Sequence, residues 1–343
     1  MGKKLFDYVI GNPPYQEEQI SENADGSLKN YAPPVYDKFM DAAFEVSKKV
    51  ELIHPARFLF NAGSTPKGWN EKMLNDKHFK VLYYEEDGHK IFPALSTPLR
   101  GGVAISYRDA EKDYGAILAF TKYPEVNDIL HKVIYGSSFR SIMDIVYSRT
   151  AYRLTEVMHL DHPEARYKED ENGKNIGLLS KGHDYDMSSN IMNLIPAIFY
   201  DEKPNDGRDY IEILGRVSNK RIYKYIRRDY VKNVDNLDFY KVYVGEFGEA
   251  MSEPVVEGPG VGSTETFLSI GKFQTIEEAH AVEKFIKTKF ARTLLSVLKV
   301  TQNGNKPVWK YVPLQDFTPS SDIDWSKSIH EIDLQLYRKY GLD

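Results

Sequence analysis

The tetrapeptide Asn12-Pro13-Pro14-Tyr15 is the part of this 343-residue chain best suited to chemistry. It directly follows Phe6 to Ile10, an apolar run closed by Gly11, which is the pattern of a buried strand ending in a functional loop. Average residue frequencies make such a tetrapeptide a chance event in roughly one chain in a thousand. The plain structural alternative is a double-proline turn closed by a tyrosine. The chemistry these residues suit is alkylation of an amino nitrogen whose lone pair is delocalised into a ring or a carbonyl. The side-chain oxygen of Asn12 and the main-chain oxygen of Pro13 can accept both amino hydrogens, which favours a tetrahedral nitrogen with its lone pair pointing outward. Proline's fixed φ stiffens the loop, and its missing amide hydrogen is no loss there. Tyr15 adds an aromatic face on which a planar group can stack.

The elements that would position this loop alternate between strand and helix. Leu5 to Ile10 reads as a strand, and Val35, Tyr36, Phe39, Met40, Ala43 and Phe44 recur at helical spacing. Glu51 to His54 is a second strand, Asn61 to Gly68 is turn-rich, and Val81 to Tyr84 and Gly101 to Tyr107 complete the series. This alternation predicts an α/β fold with part of a mostly parallel sheet and helices on its faces. After a transition near 109–138, the pattern changes to short strands, polar loops such as Lys168 to Lys174, and one strong helix. That helix starts at Thr275 with Glu278 three residues on, a capping box, and carries Val282, Phe285, Ile286, Leu294, Val297 and Leu298 on one stripe. The segment from Ser320 to Asp343 is polar, with a short helical pattern near its end.

Composition sets outer bounds. With 41% apolar and 28% charged residues the chain has room for two cores, and no apolar run is long enough to span a bilayer. The N-terminus lacks a secretory pattern, so a cytoplasmic protein with no membrane partner is expected. The absence of cysteine excludes disulfides, thiolate zinc sites and cysteine nucleophiles. A net charge of -5 restricts any nucleic-acid contact to a local basic surface.

The run Phe6-Asp7-Tyr8-Val9-Ile10-Gly11-Asn12-Pro13-Pro14-Tyr15 resembles the catalytic motif of adenine-specific DNA methyltransferases, in particular the methylases of type II and type IIG restriction-modification systems. Tyr36 to Phe44 is similar to the family's next helix, and His54-Pro55-Ala56-Arg57-Phe58-Leu59 to the strand and turn after it. Ile91-Phe92-Pro93 and Gly101-Gly102-Val103-Ala104-Ile105 resemble the last motif of the catalytic domain. Residues 263–271, the helix that follows, and residues 311–317 look like the family's target-recognition domain. The resemblance implies a partial Rossmann-like methyltransferase sheet in 1–115, a transition over 116–138, a mixed α/β target-recognition domain over 139–320, and a tail over 321–343. It also implies S-adenosylmethionine as cofactor, with Phe39, Asn12 and Pro14 beside it, and double-stranded DNA as partner. Asn12, Pro13, Pro14 and Tyr15 would then act on a flipped adenine, with Phe92 on its second face; an ordinary core phenylalanine is an equal alternative for Phe92.

One departure from the family is large. Members hold the cofactor through a glycine-rich turn and an acidic residue upstream of the loop, and only eleven residues precede Asn12 here. Gly258-Pro259-Gly260-Val261-Gly262 precedes a strand-like segment instead of a helix, so it reads as a loop. The chain is therefore expected to lack the main cofactor motif, to be inactive alone, and to work with an N-terminal half or a companion restriction-modification subunit.

The densest basic stretch is Arg216, Lys220, Arg221, Lys224, Arg227 and Arg228, interleaved with Tyr223, Tyr225 and Tyr230. It reads equally as a phosphate-contacting edge and as a solvated face. His54, within an apolar segment, reads as a structural histidine, and His159-Leu160-Asp161-His162 reads as a polar loop with no metal. Two other functions stay open. A protein glutamine methyltransferase would share the loop but not the basic, tyrosine-rich C-terminal part, and a noncatalytic DNA-binding or assembly protein would share that part without the chemistry.

Overall fold

The computed structural model describes residues 4–16, 19–22, 28–31, 33–60, 64–93, 101–136, 139–218, 220–245, 253–298 and 305–342, with backbone alone for 19–22 and 28–31. Of the turn-rich segment expected at 61–68, residues 61–63 lie outside this description. The chain is mixed α/β and divides into two compact units, 1–131 and 132–343. No helix among the described residues is long and apolar enough to cross a membrane.

The first unit is built on β1 (Phe6–Gly11), the hairpin of β2 (Gln19–Glu22) and β3 (Leu28–Tyr31), α1 (Tyr36–Val46), β4 (Ser47–Pro55), α2 (Lys67–Asn75), β5 (Phe79–Glu85), α3 (Gly88–Ile91) and β6 (Val103–Asp109). Its main sheet has the order β1-β4-β6-β5. The sheet is less parallel than the alternation of elements predicts. β1 pairs with β4 in parallel, but β6 runs antiparallel to both β4 and β5. Because β6 is reversed, β1, β4 and β5 all point the same way, and their C-terminal ends lie at one end of the sheet.

Among the described residues, α1 and α2 pack on one and the same face of this sheet. Tyr36 and Met40 of α1 and Met73 and Leu74 of α2 form a single core with Val50, Leu52, Phe79 and Ala104. The residues that alternate with the core side point away from it. On β1 these are Phe6, Tyr8 and Ile10, and Ile10 is 75% and Phe6 57% exposed. Leu5, just before the strand, is exposed as well, and β1 lies at the end of the sheet. A helix not foreseen from the sequence, α2, starts directly after Pro66, whose fixed φ suits a helix entry. Gly102, just before β6, has φ +78°, and a Cβ there would lie 2.4 Å from the Glu85 carbonyl oxygen. Its own carbonyl accepts from the Ala56 amide at 3.0 Å, so this glycine locks the ends of β4, β5 and β6 together.

His54 is fully buried in this core, between the rings of Tyr36 and Phe58. Its Nδ1 lies 3.1 Å from the Pro55 carbonyl and its Nε2 2.8 Å from the Ser106 hydroxyl. The carbonyl can only accept, so Nδ1 donates to it, and in the neutral ring that burial favours Nε2 accepts from the hydroxyl. Burial pushes its pKa down to about 4.

The division between the units falls within α4 (Pro124–Tyr135). The second unit then contains α5 (Glu156–Asp161), α6 (Ile191–Leu194), β7 (Tyr210–Val217), β8 (Lys220–Arg227), β9 (Tyr240–Gly245), β10 (Val255–Glu257), β11 (Val261–Ser263), β12 (Phe267–Phe273), α7 (Ile276–Lys287), α8 (Lys289–Ser296) and α9 (Ile329–Tyr340). The strands form two three-stranded sheets, β11-β7-β8 and β10-β9-β12. Lys241 on β9 is wholly buried and donates to the carbonyls of Leu237, Phe239 and Gly258; burial lowers its pKa to about 8.

Three local expectations change here. Val261 and Gly262, read as part of a loop, belong to β11, which adds in parallel to β7. The single helix expected after Thr275 is two helices broken at Thr288. The Thr288 hydroxyl donates to the Phe285 carbonyl and accepts from the Ala291 amide, while the buried Asp333 carboxylate of α9 accepts from the Lys289 and Phe290 amides. Both the local cap and the distant carboxylate stabilise a second helix start. The third change is that His159 and Asp161 lie on α5 and not in a polar loop.

The capping box at Thr275 forms as expected, with its hydroxyl accepting from the Glu278 amide and Glu278 reaching back to the Thr275 amide. Thr275→Ala is expected to lower stability by about 1 kcal/mol. Chemical denaturation checks this, and an unchanged midpoint would show that α7 is held by packing alone.

Candidate functional site

The loop Asn12 to Tyr15 leaves the C-terminal end of β1, where open α/β sheets commonly place ligands. Asn12 and Pro14 are exposed, and Pro13 and Tyr15 are half-buried. The loop is fastened to the residue before α1 by a hydrogen bond from the Val35 amide to the Tyr15 carbonyl at 3.2 Å. Phe39 lies one helical turn beyond Val35, and its ring is about half exposed. The sequence pattern counted Phe39 with the apolar stripe of this helix. Its exposure on a helix whose neighbours Tyr36 and Met40 are buried sets it apart from the core.

The fold brings Phe92 to the same place. It caps the C-terminus of α3, the short helix after β5, with its amide donating to the Gly88 carbonyl at 2.9 Å. The rings of Tyr15 and Phe92 meet edge to face, with centroids 6.4 Å apart and planes inclined by 65°. They are 77 positions apart in sequence, and only the common direction of β1 and β5 puts them at one end of the sheet. The Tyr15 hydroxyl is buried without a hydrogen-bond partner among the described residues, and burial pushes its pKa up to about 12. An unpaired buried hydroxyl carries a desolvation cost, so this group is suited to a partner that arrives from outside the unit.

The basic stretch resolves into the β7–β8 hairpin and the turn after it, and its six cations fall into two sets. Lys224 pairs with Asp201, Arg227 with Asp161 and Asp229, and Arg228 with Asp238 and Asp209. The tyrosines between them are tied to carboxylates as well: Tyr223 to Glu257, Tyr225 to Glu212 and Tyr230 to Asp161. Arg216, Lys220 and Arg221 are exposed, and no carboxylate pairs with them among the described residues; Arg221 donates to the main-chain carbonyl of Glu253. Sequence spacing alone treats all six alike, because most of the neutralising acids, Asp161 and Asp201 above all, lie outside the stretch and only Asp229 is adjacent to it.

The residues weighed as a metal cluster are each engaged elsewhere. The Nε2 of His159 lies 2.7 Å from the Asp184 carbonyl, Asp161 pairs with Arg227 and Tyr230, and the Nδ1 of His162 lies 3.2 Å from Glu164.

Comparison with known proteins bears mainly on the first unit. Residues 1–92 match the Eco57I restriction-modification methylase family. A protein of Mycoplasma pneumoniae (strain ATCC 29342 / M129 / Subtype 1), described as an uncharacterized adenine-specific methylase, is 30% identical over 124 residues, which is 36% of this chain and 28% of that protein. Among solved structures, the type IIG restriction endonuclease BpuSI aligns with 89% of this chain and 44% of its own, at 9% identity and a TM-score of 0.31. The chain thus spans less than half the length of each of these two proteins. The first unit carries a sequence similar to restriction-modification methylases, and the chain as a whole is mixed α/β.

Proposed function

We propose that residues 1–115 are the C-terminal half of the catalytic domain of an adenine-specific DNA methyltransferase, and that 139–320 are its target-recognition domain. The observation that carries this reading is the meeting of Tyr15 and Phe92 beside the exposed Asn12. Two aromatic rings next to two hydrogen-bond acceptors are what a flipped adenine requires. The rings offset the cost of unstacking the base, a few kcal/mol, and the acceptors take its two amino hydrogens. Asn12 Oδ1 and the Pro13 carbonyl would hold the amino nitrogen in a tetrahedral form, with its lone pair directed away from the base plane. No general base is needed beforehand, since the departing proton becomes acidic only once the nitrogen is alkylated.

S-adenosylmethionine would supply the electrophilic methyl group. The residues present fit part of that ligand. The half-exposed Phe39 ring offers a face to its adenine, and the exposed Asn12 and Pro14 lie in the loop fastened just before that helix. The rest of its site would come from a polypeptide covering β1. The exposed apolar residues Leu5, Phe6, Tyr8 and Ile10 on an end strand support such a neighbour, because a contiguous exposed apolar surface beside an open sheet edge marks a place that another polypeptide covers. This neighbour is the N-terminal half of the enzyme or a companion restriction-modification subunit.

The test is methyl transfer to duplex DNA in the assembly that contains the cofactor-binding half. Label should appear on adenine amino groups. Label on protein glutamine would favour a protein methyltransferase, and no transfer to either would leave a noncatalytic DNA-binding role. The two rings can be tested separately from the chemistry. In duplexes carrying 2-aminopurine at the target adenine, Tyr15→Ala and Phe92→Ala should each cut the fluorescence gain on binding several-fold, while overall duplex affinity changes little. An undiminished gain in both variants would remove the rings from base retention.

A further inference from the structure

We infer that the tip of the β7–β8 hairpin, carrying Arg216, Lys220 and Arg221, is the element that grips the phosphate backbone of duplex DNA; this rests on the DNA-methylation reading above. The hairpin is antiparallel and paired from Tyr210↔Arg227 to Val217↔Lys220. Ser218 takes a φ of +48°, as a tight hairpin turn requires. A rigid two-stranded ribbon of this kind is narrow enough to enter the major groove.

The charges on the ribbon are graded along its length. At the base, Lys224, Arg227 and Arg228 are neutralised by five aspartates, 161, 201, 209, 229 and 238. At the tip, Arg216 and Arg221 lie directly opposite each other in the register, with Lys220 next to them. Like charges opposed across two strands destabilise a hairpin, so this arrangement works against folding. Inside the fold the offset is partial, a bond from Arg221 to the Glu253 carbonyl, and a local rule broken in this way marks a place where an outside partner makes up the rest. An anionic oxygen between the two guanidinium groups would do so, and phosphates spaced along a duplex offer such oxygens in series. The whole chain carries a net charge of -5, so an anionic polymer is attracted only to local clusters of cations, and among the described residues no carboxylate forms an ion pair with the three at the tip; the nearby Glu257 acts on Arg221 only through space.

The experiment is equilibrium binding of the full chain to random-sequence and single-sequence duplexes over a range of salt concentrations. The Arg216→Ala/Lys220→Ala/Arg221→Ala variant should bind both duplexes about tenfold more weakly or worse. Its dependence of log affinity on log salt should be shallower by roughly one unit for each phosphate no longer neutralised, up to about three. Arg216→Lys/Arg221→Lys keeps the charges and should keep most of the wild-type slope, which separates loss of charge from loss of fold. Lys224→Ala at the base should leave the slope unchanged. Wild-type binding with an unaltered triple variant would overturn the assignment to the tip alone, as would a slope that depends on Lys224. A loss confined to one sequence would also overturn it, placing these side chains on base edges. A wild-type chain that binds no duplex DNA would overturn the methylation reading, and the tip assignment with it.

Discussion

Asn12→Ala is expected to lower methyl transfer by about 10²- to 10³-fold while leaving duplex affinity nearly unchanged. In the proposed mechanism its side-chain oxygen is one of two acceptors for the amino hydrogens, and acceptors placed in advance act mainly on the transition state, where the nitrogen becomes positive. Removal of one such group typically costs about 3 to 4 kcal/mol of barrier. Asn12 is exposed and lies in a loop whose fastening, the Val35 amide to the Tyr15 carbonyl, does not involve its side chain. The substitution should therefore leave the fold intact. Asn12→Asp retains an acceptor oxygen at the same place and should keep more activity than the alanine variant. Single-turnover transfer to duplex DNA, measured beside binding of the same duplex, gives both numbers. Wild-type turnover in Asn12→Ala would sink the mechanism.

The second large effect is in stability against pH, and it comes from His54. The folded state holds this ring neutral, with its pKa lowered to about 4 by burial, whereas in the unfolded chain it titrates at its ordinary 6.5. Between these values the unfolded state binds the extra proton, so stability rises with pH across the window. The contribution is fully present above 6.5, is lost as the pH falls toward 4, and changes no further below that, where both states are protonated. The loss amounts to about 3 kcal/mol. Carboxylates titrate in part of the same range, so the comparison of wild type with His54→Gln isolates the histidine. Glutamine can still meet the Ser106 hydroxyl, and its variant should show a flatter profile. Parallel profiles for the two proteins would mean that the ring is protonated in the fold.

Much of the first unit was legible in the sequence because its signals are local. The strands β1, β4, β5 and β6 and the helix starting near Tyr36 follow from apolar runs and from helical spacing, and each lies within a few residues of its expected bounds, whereas the β2–β3 hairpin was not foreseen. The capping box at Thr275 is likewise a pattern of four consecutive residues, and it forms. The tetrapeptide was conspicuous for its composition and for its place after a strand, and Phe92 was nominated by resemblance. Neither signal shows that the two rings are neighbours.

Only the tertiary structure decided the features that depend on partners far along the chain. The reversal of β6, and with it the common direction of β1 and β5, is settled by pairing between strands tens of residues apart, to which apolar alternation is blind, since a strand reads alike in either direction. The break at Thr288 needs the Asp333 carboxylate, which is 45 positions away, as well as the local threonine cap. Most clearly, six cations in thirteen residues look equivalent in sequence, yet three are neutralised by aspartates brought to them by the fold and three are left at a hairpin tip. Charge is a property of residues and is written in the sequence. Whether a charge is free to meet a partner depends on the distance to its counter-ions, and folding alone sets that distance.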